Sequence, residues 1–487
     1  MRRTSGLAGG VVGYLVFVEF TSGVLQGYYT PLLSDIARNL SINDADINWF
    51  EAAQLMLSAI VVPVLAKLGD LHGHRRMLLV SVAMTAVASV ALAFAQTFTV
   101  FVVAWAVQGF YVAWLPLQVA LIYDRSRRLP DAASQTRRAT GLIVAALQAG
   151  AITGALAGGF IGTALADLLW VVLLLPALLV VAVFFVVLTK VPDSVTRLPG
   201  SIDPGGVALL TVAMLVITGG LSFVRINGVE QTWPWLVVVG GFLVFVPFVR
   251  YELSRPDPLV DFRVLRSPAM WPVLLTAGLF GVSVLGAQGP LSTFARTDPD
   301  VYGYGLGLTA ALVSIVIGAY VVSMLAGALS FARVSRRTTP RIALIGATTL
   351  TGVGYLLLVP FHDSLGQVLA AMTIAGLGSG ALVAALPAAA AAAAPVGRTA
   401  VATGLTNTTK VMGGTVASCV FALVLAAGAP TLSSGVVGTA GSLSGYIAVW
   451  TICGVTALVA AAALLVVPKL AFADRADAVP AAERTPV

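Results

Sequence analysis

The chain has 487 residues, of which 58% are hydrophobic and only 10% are charged, and its formal net charge is +7. Soluble proteins carry about 25% charged residues because their surface must face water, so this composition excludes a soluble globular protein. Apolar runs of about 20 residues recur along the chain, which is the length of a membrane-spanning helix and not of a barrel strand. The composition therefore predicts an all-α polytopic membrane protein.

Fourteen segments are long and apolar enough to be predicted as membrane spans. Because this number is even, both ends of the chain are predicted to lie on one side of the membrane. The predicted spans are Val11–Tyr29, Ala52–Lys67, Met77–Ala95, Thr99–Ile122, Thr140–Leu165, Leu168–Leu188, Gly206–Val224, Trp235–Val249, Ala269–Leu291, Thr309–Phe331, Arg341–Leu358, Leu365–Ala390, Ala400–Ala427 and Tyr446–Val467.

Basic residues are distributed very unequally between the two predicted sides. All Lys and Arg residues except Arg38, Arg225, Arg296 and Lys410 fall on the side that holds the N-terminus. The positive-inside rule assigns such a side to the cytoplasm. We therefore expect a multi-pass protein of the cytoplasmic membrane with both termini cytoplasmic. The basic charge then reflects orientation in the lipid bilayer, and no nucleic-acid partner is expected.

Two short sequences recur at nearly the same offset. Ala66–Arg76 resembles Gly327–Arg337, with Phe331 in the place of Asp70, and Ala139–Leu142 recurs as Ala402–Leu405. Both recurrences lie at predicted cytoplasmic ends of spans. They indicate two parallel six-helix pseudo-repeats, as in transporters built from internal repeats.

This duplication divides the chain into four predicted parts. An N-terminal six-helix bundle covers residues 1–190, and a C-terminal six-helix bundle covers residues 268–467. Between them, residues 191–267 form an inserted two-helix linker and a cytoplasmic connector. The Ala-, Pro- and charge-rich tail, residues 468–487, is predicted to be disordered.

The short polar link between the second and third spans carries a distinctive motif. Gly69, Asp70, Gly73, Arg75 and Arg76 occur in the sequence Leu-Gly-Asp-Leu-His-Gly-His-Arg-Arg. The link is too short for a domain, so it is predicted to be a tight cytoplasmic turn, for which glycine supplies the backbone freedom. The motif closely resembles the loop between the second and third helices of the major facilitator superfamily. This resemblance implies that the loop latches the cytoplasmic side of a transporter in its outward-facing state, with Asp70 facing the start of another helix.

The fourteen-span layout resembles the drug:proton antiporter branch of that superfamily over nearly the whole chain. Glu19-Phe20-Thr21, the connector 256–262, and the segment 404–410 with Gly413 and Gly414 resemble local patterns of this branch. The resemblance implies a major facilitator fold with fourteen transmembrane helices, alternating access to a small-molecule substrate, and protons as the coupling ion.

Two positions depart from the pattern of the branch. Trp105 stands where its members usually carry an arginine that is linked to proton coupling. The antiporter pattern Gly-Pro-x-x-Gly-Gly appears as Gly154, Gly158 and Gly159 without the proline. These glycines permit close helix packing, and a functional hinge is an equal alternative.

Glu19 and Lys410 are predicted to lie deep inside spans. A charge at the bilayer centre costs about 2.5–3.5 kcal/mol on insertion scales, so such residues are rarely retained without a role. Glu19 lies roughly 12 Å into its helix and Lys410 roughly 15 Å at the helical rise per residue. We expect Glu19 to be the proton or cation-coupling site and to interact with Lys410, with a structural ion pair or hydrogen bond as the alternative.

Polar and aromatic residues within the spans are candidates for a substrate path. A mostly apolar cavity with scattered hydrogen-bonding groups suits a small amphiphilic substrate. For each glutamine, a helix–helix hydrogen bond is an alternative role. The candidates are Gln26, Tyr28, Trp105, Gln108, Tyr111, Gln288 and Asn407.

We expect a secondary active exporter of drug- or metabolite-like molecules that works as a monomer. The chain has no nucleotide-binding loop and no nucleophile constellation, so neither ATP-driven transport nor an enzyme is expected. Its three histidines lie in polar turns without a metal-binding pattern, so we expect no metal and no cofactor. The alternatives are an uncoupled facilitator or importer of the same fold and, in a different class, a non-transporting membrane sensor.

Overall fold

The computed structural model of the protein describes most of the chain, and all regular structure in the described part is helical. The predicted tail and parts of the connector lie outside this part. The described residues are 11–126, 132–194, 201, 203–256, 258–260, 262–263, 270–285, 288–393, 399–428 and 438–466.

In the described residues, ten α-helices precede the connector, and three of the links between them contain 3₁₀ turns. A further 3₁₀ segment, Gly109–Ala113, joins α5 to α6 within one predicted span. The helices are α1 (Val11–Tyr28), α2 (Leu33–Asn39), α3 (Ile47–His72), α4 (His74–Phe94), α5 (Phe98–Gln108), α6 (Trp114–Ser126), α7 (Ala132–Ala164), α8 (Leu169–Lys190), α9 (Pro204–Asn227) and α10 (Thr232–Ser254).

The described part of the chain has eight α-helices after the connector. They are α11 (Met270–Leu285), α12 (Gln288–Arg296), α13 (Pro299–Tyr302), α14 (Ala310–Arg337), α15 (Pro340–Leu357), α16 (Leu365–Ala393), α17 (Thr399–Ala426) and α18 (Leu443–Val466).

Within the described residues, 13 helical segments are long and apolar enough to cross a membrane. The one predicted span outside this set, Arg341–Leu358, corresponds to α15, an 18-residue helix that packs between α16 and α18 and carries Arg341 near its start. Leu236, Leu243 and many other large apolar side chains are exposed on the outer helices, as expected for surfaces that face lipid. The prediction of a polytopic membrane protein is confirmed.

The helix pairing in the first bundle recurs in the second. Helix α1 packs against α7 as α11 packs against α17, and α4 packs against α8 as α15 packs against α18. Likewise, α3 packs against α5 and its 3₁₀ extension, as α14 packs against α16. This repetition is the expected result of a duplicated six-helix unit.

Two seams join the bundles, one between α3 and α17 and the other between α7 and α14. The inserted helices α9 and α10 pack against each other, and α9 also contacts both α3 and α17. Thr218 of α9 donates a hydrogen bond to the sulfur of Met56 on α3 (3.2 Å). The inserted pair therefore covers the α3–α17 seam.

The second span extends beyond its predicted bounds at both ends. It was predicted over Ala52–Lys67, whereas α3 covers Ile47–His72. Asn43 starts the helical stretch, since its side chain accepts a hydrogen bond from the Ala45 N–H (2.8 Å). The added residues include polar ones such as Asn48 and Glu51. A membrane-spanning helix can contain such residues where their side chains face the protein and not the lipid.

The fourth span, predicted as one helix, is divided into α5, the 3₁₀ segment and α6. Pro116 lies in the first turn of α6. Proline has no N–H to donate to a carbonyl one turn earlier and its ring crowds that turn, which accounts for the tighter winding before it.

The residues of the second repeat that correspond to the motif are not the ones that the sequence alignment indicated. Arg336 was matched to Arg75, but Arg336 lies in the last turn of α14. Val334 occupies the position of Gly73, so the helix is not broken there. The structural counterpart of Arg75 is Arg341: Arg75 donates to the carbonyls of residues 187 and 188 at the end of α8, and Arg341 to those of residues 464 and 465 at the end of α18.

Candidate functional site

The motif between α3 and α4 forms a turn of one residue, Gly73. Its φ of +106° is a conformation that other residues rarely adopt. A Cβ atom at this position would also lie 2.7 Å from Oδ1 of Asp193. Gly69 approaches the next helix closely, since a Cβ there would lie 2.9 Å from the ring of His74. Both motif glycines are therefore required by close packing.

The short segment after α8 holds this turn in place, a role that no sequence pattern of that segment indicates. The N–H of His74 donates to Oγ of Ser194 (2.9 Å), and the N–H of Ser194 donates to Oδ1 of Asp193 (2.8 Å). Nε of Arg76 lies 3.8 Å from Oδ2 of Asp193. Arg125 of α6 donates to the Asp193 carbonyl (3.1 Å). The motif is thus bound within its own bundle.

Asp70 faces His74 in this structure, with 3.2 Å between Oδ1 and the ring Nε2. The Asp70 side chain is 44% exposed, whereas that of His74 is 7% exposed. Its place in a polar turn suggested that His74 is solvated. In the structure His74 is instead buried and hydrogen-bonded. Arg75 binds the last carbonyls of α8, which have no partner inside that helix.

Glu19 is completely enclosed in the first bundle. Its side chain is 1% exposed, and Oε2 accepts a hydrogen bond from Nε2 of Gln118 on α6 (2.7 Å). Gln118 is itself fully buried, and its Oε1 has no hydrogen-bond partner. Glu19 therefore occupies an inner polar site rather than an open surface.

Lys410 lies in the second bundle and lines a small cavity with Asn407 and Thr406. The rest of the lining is apolar and comes from α11 and α16: Ala277, Phe280, Leu382, Val383, Leu386 and Pro387. Glu19 on α1 and Lys410 on α17 belong to different bundles, and each has its own surroundings. An interaction between them stays a prediction for another conformation.

The other predicted cavity residues are buried, half-buried or exposed. Gln108 donates to the hydroxyls of Tyr29 (3.1 Å) and Ser89 (2.9 Å), and Trp105 packs against Tyr29 with 5.2 Å between ring centroids. Tyr28 donates to the carbonyl of Val172 (2.9 Å). These groups therefore join helices of the first bundle. Tyr111 is also buried, Gln288 and Asn407 are half-buried, and Gln26 is exposed.

Glu51 is an acidic residue that lies inside α3 but outside the predicted bounds of the second span. The second span was predicted to begin at Ala52, one residue later. Asn43 and Asp46, which precede an apolar run, are typical of a helix start and would have indicated the earlier beginning. The side chain of Glu51 is half-buried and close to α12 of the second bundle.

The predicted packing glycines of α7 lie against two different helices. Cβ atoms at Gly154 and Gly158 would lie 2.6 and 2.0 Å from backbone oxygens of α1. At Gly159 a Cβ atom would lie 2.5 Å from the backbone oxygen of Ala310, at the start of α14. The first two thus permit packing within the first bundle, and the third permits contact between the bundles.

The bundles are also joined by polar contacts at one end, which we call the Asp35 end. Asp35 of α2 forms an ion pair with Arg296 of α12, and Arg296 also donates to the carbonyl of Leu308 (3.1 Å). Arg38 is a second, more exposed partner of Asp35 (3.3 Å).

Hydrogen bonds to backbone groups strengthen the contact at the Asp35 end. The Asp44 N–H donates to the Thr439 carbonyl (2.7 Å), and Nδ2 of Asn43 donates to the Gly438 carbonyl (3.1 Å). Ser292 donates to the carbonyl of Thr30 (2.6 Å). Each of these contacts connects the first bundle with the second.

Known proteins share this architecture. A sequence profile of the Major Facilitator Superfamily matches residues 15–418. The chain is 26% identical over 440 residues to the multidrug resistance protein Stp of Mycobacterium tuberculosis, which covers 88% of this chain and 77% of Stp. It is 28% identical over 330 residues to the multidrug efflux pump LfrA of Mycolicibacterium smegmatis, which covers 67% of this chain and 62% of LfrA.

The fold is also that of solved transporter structures. The nucleoside transporter NupG superimposes with a TM-score of 0.62 at 14% sequence identity, over 94% of this chain and 99% of NupG. At this identity the similarity concerns the fold. The family identified from the motif and the predicted major facilitator fold are therefore confirmed, and the predicted fourteen spans agree approximately with the 13 spanning segments of the described residues.

Proposed function

Because this chain belongs to the major facilitator superfamily, we propose that it exports small amphiphilic molecules from the cytoplasm, driven by protons. The similarity to Stp, which extends over 88% of the chain, carries this proposal. Stp and LfrA are both named for multidrug resistance or efflux. The Asp35 end is the outer side, since the positive-inside rule assigns the basic side that holds the Gly69 turn to the cytoplasm.

The contacts between the bundles support an alternating-access mechanism. The ion pair and hydrogen bonds of the Asp35 end hold that side together. At the opposite end, Asp70 pairs with His74 of its own bundle. An arrangement closed at the outer side and released at the Gly69 turn is an inward-facing conformation. The first bundle comprises residues 1–190 and the second residues 268–467, and they rock about the two seams.

The buried carboxyl group of Glu19 supports proton coupling. It is enclosed by its bundle and has a neutral hydrogen-bond donor, Gln118, instead of a counter-charge. Burial disfavours the charged form of a carboxyl group. Gain or loss of the proton therefore shifts the balance between conformations that bury the Glu19 side chain and conformations that expose it to water. Proton binding on one side and release on the other would then drive the cycle.

Dye accumulation in cells tests the proposed function. Cells that produce the protein should accumulate less of a fluorescent lipophilic cation than cells with an empty vector. Dissipating the proton gradient with an ionophore should remove this difference. The Asp70→Ala variant, which should insert normally, is expected to export more slowly.

Two results would contradict the proposal. Equal accumulation with and without the protein, at a verified level in the membrane, would exclude export of such compounds. Export that persists after the proton gradient is dissipated would favour the uncoupled facilitator, which the tryptophan at position 105 also suggests.

A further inference from the structure

The cavity of the second bundle has apolar walls and polar side chains on one side. Its volume is about 300 Å³, and α11 and α16 supply the apolar walls, with Phe280 and Leu386 among them. Helix α17 supplies the polar side, which includes Asn407 and Lys410. These two residues are three positions apart and so lie on the same helix face. The cavity is at the lower end of the size range of ligand pockets, and it can hold an apolar group with a polar end.

Lys410 and Asn407 have no partner in the part of the chain that the structure describes. None of the hydrogen bonds and ion pairs there involves the Lys410 ammonium group or the Asn407 amide. Both side chains are half-buried. Lys410 lies roughly 15 Å from the start of α17 at the helical rise per residue, which places it well inside the membrane-spanning part of that helix. An unpaired charge at such a depth is costly, so the pair indicates a site that an acceptor fills.

The second bundle has no carboxyl group of its own for Lys410. Its sequence, residues 268–467, contains three acidic residues, which are Asp298, Asp300 and Asp363. All three lie outside its spanning helices, two of them at the start of α13 and the third between α15 and α16. Within the membrane, the counter-charge of Lys410 therefore has to come from the first bundle or from a bound molecule.

Equivalent glycine contacts show which positions of the two bundles correspond. A Cβ atom at Gly23 of α1 would lie 2.0 Å from a backbone oxygen of α7, and one at Gly281 of α11 would lie 1.9 Å from a backbone oxygen of α17. In the reverse direction, a Cβ atom at Gly150 of α7 would lie 2.0 Å from an oxygen of α1, and one at Gly413 of α17 would lie 2.2 Å from an oxygen of α11. Gly23 therefore corresponds to Gly281, and Gly150 to Gly413.

The same place is filled in the first bundle and left open in the second. Glu19 and Ala277 each lie four residues before the corresponding glycine, so they are equivalent. In the first bundle this place holds the Glu19 carboxyl group, which accepts a hydrogen bond from Gln118 (2.7 Å). In the second bundle it holds only the methyl group of Ala277, which lines the cavity beside Lys410. The second bundle thus lacks an internal acid at the place where it presents a base.

The chemistry of the cavity selects an organic acid. An ammonium group repels metal cations and donates hydrogen bonds to a carboxylate or a phenolate, and an asparagine amide adds further donors. Chloride and phosphate are strongly hydrated, and apolar walls cannot replace that hydration. The hydrocarbon part of an organic acid, in contrast, is stabilised by contact with such walls.

We propose that Lys410 and Asn407 bind the acidic group of a transported molecule, while the walls from α11 and α16 hold its apolar part. This inference rests on the proposed export function and adds a chemical class to its substrates: amphiphilic acids such as aromatic carboxylates and phenolates. Val411, the residue after Lys410, packs against Leu55 of α3. The bound acid therefore lies beside the α3–α17 seam, about which the bundles rock.

Lys410 and Glu19 then have separate tasks. Glu19 is 1% exposed and already accepts a hydrogen bond from Gln118, which leaves room for a proton only. Lys410 is half-buried and lines a cavity. Loss of the Lys410 charge should therefore alter which molecules bind, and loss of the Glu19 carboxyl group should alter what drives their movement.

Binding measurements on the purified full-length protein in lipid nanodiscs test this assignment. The probes are 9-anthracenecarboxylate and its methyl ester, which share one fluorescent ring system and differ in negative charge. Lys410→Gln should weaken binding of the carboxylate roughly tenfold to a hundredfold, as expected when one partner of a desolvated charge contact is removed. Binding of the ester should be unchanged. Lys410→Arg, which retains the charge, should bind the carboxylate with intermediate affinity.

Three controls accompany these variants. Lys190→Gln removes an exposed lysine from the last turn of α8, far from the cavity, and should bind both probes like the native protein. Ala277→Val narrows the cavity and should weaken binding of both probes, because they share the ring that fills it. Since the native Lys410 charge has no partner, Lys410→Gln should not lower the midpoint of thermal unfolding, which shows that this variant is folded.

The outcomes separate this inference from the proposed function. If cells export the lipophilic dye but the native protein does not bind the carboxylate, or Lys410→Gln binds it equally well, the acid site is wrong and the export function stands. An equal loss of both probes in Lys410→Gln would also overturn the acid site, because it would show a general effect on the cavity. If the native protein binds neither probe and exports no dye, the proposed function itself fails.

Discussion

At the scale of single residues, two glutamates of one bundle differ in what surrounds them. Glu19 accepts a hydrogen bond from Gln118 in a closed interior, whereas Glu51 lies unpaired at the boundary with the second bundle. Burial and hydrogen bonding decide what a carboxyl group can bind.

Glu19→Gln should uncouple transport from the proton gradient. The amide keeps the size of the side chain and still accepts the hydrogen bond from Gln118, so the fold should be retained. A side chain that cannot exchange a proton cannot carry one across the membrane. In proteoliposomes with an imposed pH gradient, the rate of substrate transport should fall at least about tenfold. A tenfold change corresponds to a free-energy difference of about 1.4 kcal/mol.

Exchange of labelled for unlabelled substrate without a gradient is the matched control, and it should continue in this variant. Movement that still follows the pH gradient as in the native protein would remove Glu19 from the coupling mechanism.

The sequence identified Glu19 because it lies in the middle of an unmistakably apolar run. It did not reveal Glu51, because a polar residue near the end of a span cannot be distinguished from a loop residue by hydropathy alone. Nor could it identify Gln118 as the partner of Glu19, or Asp193 and Ser194 as the residues that bind the Gly69 turn. These contacts join positions far apart in the chain, and a single sequence contains no record of such distances.

At the scale of helices, the approach of α1 to α7 depends on glycines from both. Cβ atoms at Gly23 and Gly27 would lie 2.0 and 2.1 Å from backbone oxygens of α7, and Gly158 meets α1 in the same way. Without a hydrophobic driving force between helices in lipid, such close backbone contact is the main source of their association. The glycines therefore set the distance between α1, which carries Glu19, and α7.

Gly158→Ala should destabilise the protein by about 1–3 kcal/mol, the usual cost of forcing extra atoms into a packed interface. Its Cβ would lie 2.0 Å from the carbonyl oxygen of Tyr28, and a backbone oxygen cannot move aside alone. The midpoint of thermal unfolding in detergent measures the effect.

Gly141→Ala in the same helix is a matched control, because a Cβ there meets nothing within 4 Å. It should be neutral or slightly stabilising, since alanine favours a helix over glycine. Equal midpoints for the two variants would show that α1 and α7 adjust freely to each other.

Helix existence was easier to predict than helix ends. The apolar length of each span set its position in the sequence, and the spans correspond to helices of the structure. The early start of α3 and the 3₁₀ segment before Pro116 were missed, because capping and a single proline change only a few residues in a long apolar pattern.

At the scale of the whole molecule, the Asp35 end is, in our proposal, the contact that opens for release to the outside. The Arg296 side chain is 12% exposed and that of Asp35 is 27% exposed, so their ion pair is shielded from water on one side. Shielded pairs lose more when one partner is removed than exposed pairs do. The balance between inward- and outward-facing states should therefore depend on this pair.

Asp35→Asn should shift the population toward the outward-open state, by roughly tenfold for each 1.4 kcal/mol of lost interaction. Spin labels on cysteines at Asn39 and Asp300, both exposed at the Asp35 end, report the separation of the bundles. The native Cys419 and Cys453 are buried, which favours labelling of the introduced sites. A longer distance component should appear in the variant.

Arg38→Gln removes the other partner of Asp35, whose side chain is 57% exposed, and should leave the distances unchanged. A distance distribution for Asp35→Asn that matches that of the native protein would show that backbone hydrogen bonds alone hold this end closed.

The global arrangement was largely predictable. Composition established the membrane setting, and the recurring motif indicated the duplication. The recurrence was matched in the wrong register, because Arg75 corresponds to Arg341 and not to Arg336. Sequence similarity indicated the duplicated unit. Only the hydrogen bonds in the structure identified Arg341 as the equivalent of Arg75, because each donates to carbonyls at the end of a neighbouring helix.

The inserted hairpin makes the two sides of the molecule unequal toward the lipid. Arg225 of helix α9 forms an ion pair with Asp46, in the 3₁₀ turn before α3. Thr218 of α9 contacts Met56 of α3 further along, and α9 also packs against α17. A molecule dissolved in the bilayer meets α9 before it reaches the α3–α17 seam. In the described part of the chain no spanning helix lies across the α7–α14 seam in this way. The inserted pair therefore screens the α3–α17 seam from the lipid and leaves the α7–α14 seam to its own helix packing.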